Sequence, residues 1–392
     1  MNTRCYACDS VYDASRVRCD CGEPVWFDVD ATAFAWPMGD TRRVWRYADL
    51  LPVDPANGLG WAAGGTPLLR LDRLDEYAGC RVWVKDETAN PTGTFKDRGS
   101  AVAVAAVAER GGRHIGTVSH GNMAMSTAAH AAACGLECVV LVPKDISEKR
   151  LAAIGQYRPT IVRVDGDYGQ LYYDSLDIGR EFSIEFVNSD VPLRVAGQKT
   201  VALEIVERFD GVPDAICLPV SSGGQASGVW KALRELETAG LIESVPRLYF
   251  VQAANCDPIA QAYEAGHDVE RIEPKSTAAY SIANANPPSG NRVLAAAAET
   301  DGAVLSVSED AISEATRRFA ELAGLCVEPS SAVALAGLHD LTAAGELDED
   351  ESVALILTGT GFKELSRDFA DSPIVPLSGL HEYFESALGA HL

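Results

Sequence analysis

Short apolar runs rich in β-branched residues alternate with helix-like stretches along most of the chain from about residue 80. The pattern predicts helices at Met123 to Cys134 and at Lys199 to Phe209. It predicts strands at VWVKDE, HIGTVSH, CVVLVP, TIVRVDG, IEFVNS, AICLPV, RLYFVQA and VALILTG. Such alternation favours an α/β fold with mostly parallel sheets flanked by helices, in which ligands bind at the carboxyl ends of the strands.

Two other stretches lack this alternation. Residues 31–75 contain aromatic residues and glycine with weak periodicity, and we interpret them as an arm that wraps a lobe or a neighbouring subunit. The segment from Pro274 to Gly290 is rich in Ser, Asn, Ala and Pro, and is either a loop at the functional site or a plain connector. The chain has 392 residues. Because single cores seldom grow past roughly 250 to 300 residues, we expect two large lobes.

The charge balance is strongly acidic, with 56 Asp plus Glu against 33 Lys plus Arg. A net charge of −23 disfavours binding to nucleic acid or to anionic membranes. Dense carboxylates and few lysines are typical of proteins from salt-rich cytoplasms, although an acidic mesophilic protein is the alternative. No apolar run has the length of a membrane span and the first residues lack a signal-peptide pattern, so we expect a cytoplasmic protein.

Four of the ten cysteines form a cluster near the N-terminus. Cys5, Cys8, Cys19 and Cys21 give C-x2-C followed by C-x-C, a spacing that suits tetrahedral zinc. The alternative is a pair of disulfides or unligated thiols. Because all four thiolates would be used as ligands, the zinc would be structural, and residues 1–30 are predicted to form a zinc ribbon.

Two motifs follow predicted strands and combine glycine with candidate chemistry. In NPTGTFKDRG, Lys96 begins a helix, where the helix dipole and partial burial both favour a neutral, imine-forming amine. The alternative is a surface lysine paired with Asp97. In SSGGQAS, Ser221 to Ser227, glycines precede a helix and predict a cradle for a single phosphate.

Two more motifs lie at strand ends. SHGNMAMS, Ser119 to Ser126, offers backbone N–H groups for a carboxylate and Asn122 for a ring oxygen. LTGTGFKE places the hydroxyl of Thr358 at the end of a strand. Each motif alone is more often an ordinary β-to-α turn. Together they meet the requirements of pyridoxal phosphate, namely an imine lysine, a phosphate cradle, an amide and a hydroxyl.

The same motifs resemble those of the threonine synthase family, pyridoxal-phosphate enzymes of fold type II related to tryptophan synthase β. The resemblance runs through GGTPLLRL, NPTGTFKDRG, SHGNMAMS, NSDVPLRVAGQKT, SSGGQAS, VEPSSAVALAGL and LTGTGFKE. It implies a small lobe at 101–194, a large lobe from 76–100 and 195–392, and a homodimer.

The resemblance also implies a role for each matched residue. Lys96 would be catalytic and would bond covalently to pyridoxal 5′-phosphate. The cofactor would contact Phe95, Lys96, Asn122, Gly223, Gly224, Gln225, Ala226, Ser227 and Thr358. The substrate, a phosphorylated amino acid, would contact Ser119, His120, Gly121, Met123, Asn188, Ser189 and Arg194, with the last three facing its phosphate.

The implied reaction converts O-phosphohomoserine and water to threonine and phosphate. The chain departs from the family pattern at several positions. His120 and Met123 stand where threonines are usual, Thr360 stands where a histidine is usual, and the loop before Asn284 lacks the usual arginine. A thioether cannot donate a hydrogen bond to phosphate. The alternatives are therefore a threonine or serine dehydratase, an O-phosphoserine β-replacement enzyme, or a catalytically silent paralogue.

Overall fold

A computed structural model of the chain describes residues 1–39, 43–54, 63–119, 121–166, 168–363 and 374–389. Two sheets carry the fold. The larger contains β4 (Leu68–Arg70), β5 (Arg81–Asp86), β10 (Ala215–Pro219), β11 (Arg247–Ala253), β12 (Ala303–Val307) and β13 (Ser352–Leu357), in the order β12-β11-β10-β13-β5-β4. The smaller contains β6 (His114–Val118), β7 (Glu137–Pro143), β8 (Thr160–Val164) and β9 (Ile184–Phe186), in the order β8-β7-β6-β9. All neighbouring strands in these sheets are parallel except the antiparallel pair β4 and β5.

Helices cover both sheets. The first seven are α1 (Asp72–Ala78), α2 (Lys96–Glu109), α3 (Asn122–Cys134), α4 (Glu148–Gly155), α5 (Tyr168–Phe182), α6 (Pro192–Gln198) and α7 (Thr200–Arg208). The others are α8 (Gly224–Thr238), α9 (Pro258–Ala265), α10 (Gly290–Glu299), α11 (Glu309–Arg318), α12 (Pro329–Ala343) and α13 (Leu380–Gly389). No helix in the described ranges combines the length and the apolar character needed to cross a membrane.

The central strands of the large sheet are buried on both faces, which is why their sequences are continuously apolar. In β10, Ile216 and Leu218 pack into one core while Ala215 and Cys217 pack into the other. Helices α7, α8 and α10 cover the first face, and α1, α11 and α12 cover the second. The predicted α/β fold with mostly parallel sheets is confirmed.

All eight predicted strands are present, and the two named helices lie within a residue of their predicted limits. Two strands of the large sheet were not predicted, β12 and the antiparallel edge strand β4. Strand β4 and helix α1 belong to the large lobe although they lie largely in the stretch predicted as an arm, 31–75. Helix α2, which packs in the core of the small lobe, begins at Lys96 as predicted, five residues before the lobe boundary expected at 101.

The N-terminal residues form a separate three-stranded sheet. It contains β1 (Thr3–Cys5), β2 (Val11–Tyr12) and β3 (Val25–Phe27), in the order β2-β1-β3 with antiparallel pairing. The arm then packs on the large lobe, where Phe34, Tyr47 and Leu50 enter the core beside α7 and α8. The part of the arm at 40–42 and 55–62 lies outside the described residues.

Four buried charged side chains join α2 to the large sheet. The Arg98 guanidinium donates to Glu87 at 2.6 Å and to Glu204 at 2.8 Å, and the Lys85 ammonium donates to Glu204 at 2.6 Å. All four side chains are at most 1% exposed. Two positive and two negative charges therefore compensate each other, and burial without such partners would make each of them costly. We call Lys85, Glu87, Arg98 and Glu204 the buried ion cluster.

Loss of the Arg98 guanidinium, which bonds both carboxylates of the buried ion cluster, should destabilise the whole protein. We expect Arg98→Met to lower the free energy of unfolding by about 3 to 5 kcal/mol, because two buried carboxylates would then share only Lys85. Urea unfolding followed by circular dichroism measures this. The matched control is Arg110→Met at the exposed end of the same helix, which should change stability by less than about 0.5 kcal/mol. Equal effects of the two substitutions would contradict the role given to the cluster.

Candidate active site

The loops that follow three neighbouring strands meet at one edge of the large sheet. Strands β5, β13 and β10 are adjacent and parallel, so the segments after them emerge side by side. The Phe95 N–H donates to the Thr358 carbonyl at 3.0 Å, and the Thr360 N–H donates to the Gly93 carbonyl at 2.9 Å. These backbone bonds join the lysine motif to the last motif of the chain. Beside them lies a cavity of about 420 Å³.

Most of the predicted site residues line this cavity. They are Phe95, Lys96, Ser119, Gly121, Asn122, Met123, Ser189, Gly223, Gly224, Gln225, Ala226 and Thr358. The loop at 274–290 also contributes, through Pro274, Tyr280, Asn284 and their neighbours, which favours its interpretation as part of the site. His120 lies outside the described residues. A volume of this size suits a small molecule with a cofactor, since ligand cavities commonly measure about 300 to 1,000 Å³.

Lys96 is the first residue of α2, and its Nζ lies 4.3 Å from the centre of the Phe95 ring. Burial, reinforced by the nearby positive charge of Arg194, lowers the pKa of its amine to about 8, while Glu328 opposes the shift. Asp97 is not its partner, because that carboxylate accepts hydrogen bonds from Thr92 and Ser126. The alternative of a surface pair between Lys96 and Asp97 is therefore wrong.

The segment predicted to be a phosphate cradle lies at the start of α8. Gly223 has φ +88°, and a side chain there would come within 2.7 Å of the Ser289 carbonyl. At Gly224 a side chain would come within 2.3 Å of the Ser189 carbonyl, so both positions require glycine. The helix has no side-chain cap, and the buried Nε2 of Gln225 has no acceptor among the described residues. Unused donors at a positive helix end fit a phosphate group.

A second uncapped helix start, that of α3, faces the same cavity. Gly121 precedes it as the N-cap residue, and within the described residues the helix start has no side-chain cap. The Asn122 amide donates to the Glu328 carboxylate at 2.9 Å and accepts from the Lys363 ammonium at 2.6 Å. Because an ammonium can only donate, Lys363 fixes the orientation of this amide. The Thr358 hydroxyl lies 2.8 Å from that of Ser331, on the floor of the site.

Three predicted site residues lie outside the cavity lining. Arg194 is fully buried and donates to the Val187 carbonyl, the Ser100 hydroxyl and the Thr127 hydroxyl. Asn188 is also fully buried; its amide accepts from the Val118 N–H and donates to the Ser175 hydroxyl. Ser227 is 1% exposed and donates back to the Gly223 carbonyl. The prediction that Asn188 and Arg194 face the substrate's phosphate is therefore corrected, because their polar groups bind the protein interior.

Several residues at the cavity received no role from the sequence, among them Glu328 and Tyr172. Glu328, in the motif VEPSS, is 4% exposed and lines the cavity. Tyr172, in α5, also lines it, and its hydroxyl donates to Asp190. An acidic residue directly before the proline that starts α12 is a local signal that could have identified Glu328. Tyr172 has no such signal.

The four clustered cysteines lie together in the N-terminal sheet. Their sulfur atoms are all within 4.8 Å of one another, with separations of 3.7 Å for Cys5 and Cys21 and 3.4 Å for Cys8 and Cys19. A tetrahedron of zinc–sulfur bonds of about 2.3 Å has sulfur atoms about 3.8 Å apart. Disulfide bonds of about 2.05 Å do not fit these distances, and all ten cysteines are free thiols. The donor set therefore fits a tetrahedral metal.

Comparison with known proteins identifies relatives of this chain. Residues 62–359 match the family model described as "Pyridoxal-phosphate dependent enzyme". The chain is similar to the threonine synthase of Methanocaldococcus jannaschii, with 33% identity over 93% of each chain. It is 32% identical to the threonine synthase of Methanosarcina acetivorans over 98% of each chain. Among solved structures, a threonine deaminase of T.th. has a TM-score of 0.64 and 28% identity, covering 79% of this chain and 94% of the other.

The lowered pKa of Lys96 predicts a pH dependence for its amine. Only a neutral amine reacts with an acylating reagent, so labelling of Lys96 should rise with pH and reach half its maximum at about pH 8. Mass spectrometry of the labelled peptide measures this. Glu328→Gln removes a negative charge that raises this pKa, so it should move the half-point to lower pH. A half-point above about pH 10, the ordinary range of lysine, would contradict the assignment.

Proposed function

This chain belongs to the family of pyridoxal-phosphate-dependent enzymes and is a divergent member of its threonine synthase branch. From that membership we propose that it converts O-phosphohomoserine and water to threonine and phosphate. The observation that carries the proposal is the cavity shared by Lys96, Thr358 and two uncapped helix starts. A phosphorylated amino acid and a phosphorylated cofactor together bring three anionic groups, which such a site can hold.

The residues that would hold the cofactor are those of the cavity floor and cradle. Gly223, Gly224 and Gln225 would bind its phosphate through backbone and amide donors. Asn122, oriented by Lys363, would donate to its ring oxygen. Bound pyridoxal phosphate supplies an electron sink for negative charge that develops at the substrate's α-carbon.

We assign proton transfer at the α- and β-carbons of the substrate to the Lys96 amine. Its lowered pKa leaves a substantial neutral fraction near pH 8, so the amine can accept a proton and return it. Thr358 would meet the pyridine nitrogen with a hydroxyl rather than a carboxylate. A hydroxyl does not stabilise a protonated ring, so more of the proton transfer falls to Lys96.

Of the three residues expected to face the substrate's phosphate, Ser189 is the one that lines the cavity. Ser119, Gly121 and Ser189 line the cavity, whereas Asn188 and Arg194 do not. Met123 also lines it, at 7% exposure, and offers no hydrogen bond. The buried pair Asn188 and Arg194 would act indirectly, by holding the loop that presents Ser189.

Met123 favours one second candidate, a dehydratase that releases ammonia from threonine or serine. A thioether in place of a hydroxyl weakens the case for a phosphorylated substrate at that position. The similarity to a threonine deaminase at 28% identity supports the same alternative. The zinc in the cysteine cluster and the homodimer remain predictions of this proposal.

A substrate panel in high salt tests the proposal. We expect phosphate release from O-phosphohomoserine, loss of that activity in Lys96→Ala, and much slower ammonia release from threonine. Met123→Thr restores a hydroxyl and should lower KM for O-phosphohomoserine by about tenfold, the value of a hydrogen bond to a charged group. Met125→Thr, two residues further along the same helix, is the control and should leave KM unchanged. Ammonia release without phosphate release would favour the dehydratase instead.

A further inference from the structure

Asp190 is a buried carboxylate directly behind the cavity wall. It follows Ser189, which lines the cavity, and its own side chain is 2% exposed. One carboxylate oxygen accepts from the Tyr172 hydroxyl. The other accepts from the Ser289 hydroxyl at 2.9 Å and from the Arg18 guanidinium at 3.1 Å. Asp190 thus joins three distant parts of the chain.

Two residues beside this carboxylate, Ser289 and Ser189, also place their backbone carbonyls against the predicted phosphate cradle. The Ser289 carbonyl occupies the space beside Gly223, and the Ser189 carbonyl occupies the space beside Gly224. The Ser289 N–H in addition donates to the Ser222 carbonyl at 3.0 Å. Movement of Asp190 would therefore shift the backbone against which the cradle rests.

Arg18 reaches Asp190 from the cysteine cluster. It precedes Cys19 in the chain, and its guanidinium also donates to the Gly22 carbonyl within the cluster at 3.1 Å. The same guanidinium donates to the Pro288 carbonyl at 2.9 Å, next to Ser289. Arg18 is 21% exposed, so solvent screens its charge only in part. It connects residues 1–30 to both segments that support the cradle.

Other contacts around Asp190 do not replace Arg18. Arg292 donates to the Ser289 hydroxyl at 3.0 Å rather than to the carboxylate itself. Tyr172 and Ser289 donate as neutral groups. A buried carboxylate is costly without a directly bonded cation, so the position of Asp190 depends on that of Arg18. The position of Arg18 in turn depends on the fold of residues 1–30, whose own apolar cluster is small, so that a metal bound to the four cysteines would contribute to its stability.

We propose that Arg18 is a positioning residue for the cofactor-phosphate cradle, and that the metal held by Cys5, Cys8, Cys19 and Cys21 sets the cradle through Arg18 and Asp190. The inference rests on the proposed function only in that the cradle at Gly223 and Gly224 holds the phosphate of pyridoxal phosphate. It does not depend on which amino acid the enzyme converts. The cysteine cluster is then a structural part of the active site, although its ligands do not contact substrate.

The test uses the full chain with zinc bound and compares Arg18→Gln with Arg4→Gln. Arg4 is a matched control, because it is also one residue from a cysteine of the cluster but bonds only Asp9 and Asp28 nearby. Fluorescence titration with pyridoxal 5′-phosphate should show the dissociation constant raised between about tenfold and 100-fold in Arg18→Gln. Arg4→Gln should match the unchanged protein, and both variants should retain one zinc per chain.

Hydrogen exchange gives a readout that needs neither substrate nor cofactor. Removal of zinc from the unchanged protein should speed amide exchange at 188–190 and 286–290. The Arg18→Gln variant with zinc present should also exchange faster at both segments than the unchanged protein with zinc. Zinc removal from Arg18→Gln should increase the exchange rate at these two segments only slightly further, because the bond from residue 18 to Asp190 is already absent. If Arg18→Gln does not fold, Arg18→Lys can replace it, since lysine keeps the positive charge but lacks the planar set of guanidinium donors. Its dissociation constant for pyridoxal 5′-phosphate should lie between that of the unchanged protein and the value expected for Arg18→Gln.

Three results would overturn the proposal. Zinc removal could alter exchange within 1–30 alone, with 188–190 and 286–290 unaffected. Arg18→Gln could bind the cofactor as tightly as Arg4→Gln. The purified protein could contain no zinc and still show slow exchange at both segments. Failure of the phosphate-release assay, by contrast, would contradict the substrate assignment and leave these measurements unchanged.

Discussion

The buried ion cluster of Lys85, Glu87, Arg98 and Glu204 is the interaction on which the site depends. It fixes α2 against the large sheet, and Arg98 lies two residues after Lys96, so the two side chains point to nearly opposite sides of the helix. Arg98 therefore holds the helix from behind while Lys96 faces the cavity. On a third side, Gly197 brings α6 into backbone contact with Arg98. A helix held in this way keeps a lysine amine in a position where burial lowers its pKa.

The rest of the site offers positive electrostatic potential for anionic groups. This potential comes mainly from helix starts rather than from charged side chains. Two helix starts, those of α3 and α8, open onto the cavity without side-chain caps. In a chain of net charge −23 they create local sites for anions that the overall charge would repel. The close backbone packing at Gly223 and Gly224 keeps the cradle in place. Rigid backbone groups would thus supply most of the donors for the anions that we propose bind here.

Much of the fold and the cavity could be predicted because their signals are local. The buried strands are continuously apolar, Asn122, Gly223 and Thr358 follow one of them within four residues, and Lys96 follows one after a short turn-rich segment. The interior positions of Asn188 and Arg194 could not be predicted, because burial depends on partners such as Ser175 and Thr127 that are distant in sequence. The link from Arg18 to Asp190 spans 172 residues and has no local pattern. Strands β12 and β4 were missed as well, and both lie at the edges of the large sheet, where they are only partly buried.

The central claim is that Lys96 bonds covalently to pyridoxal 5′-phosphate, and the most direct test identifies the lysine that carries the cofactor. The protein is incubated with pyridoxal 5′-phosphate and reduced with borohydride, and its peptides are then analysed by mass spectrometry. We predict one stable phosphopyridoxyl group per chain, attached to Lys96. Attachment to Lys363 or another lysine, or no attachment at all in the folded protein, would contradict this assignment.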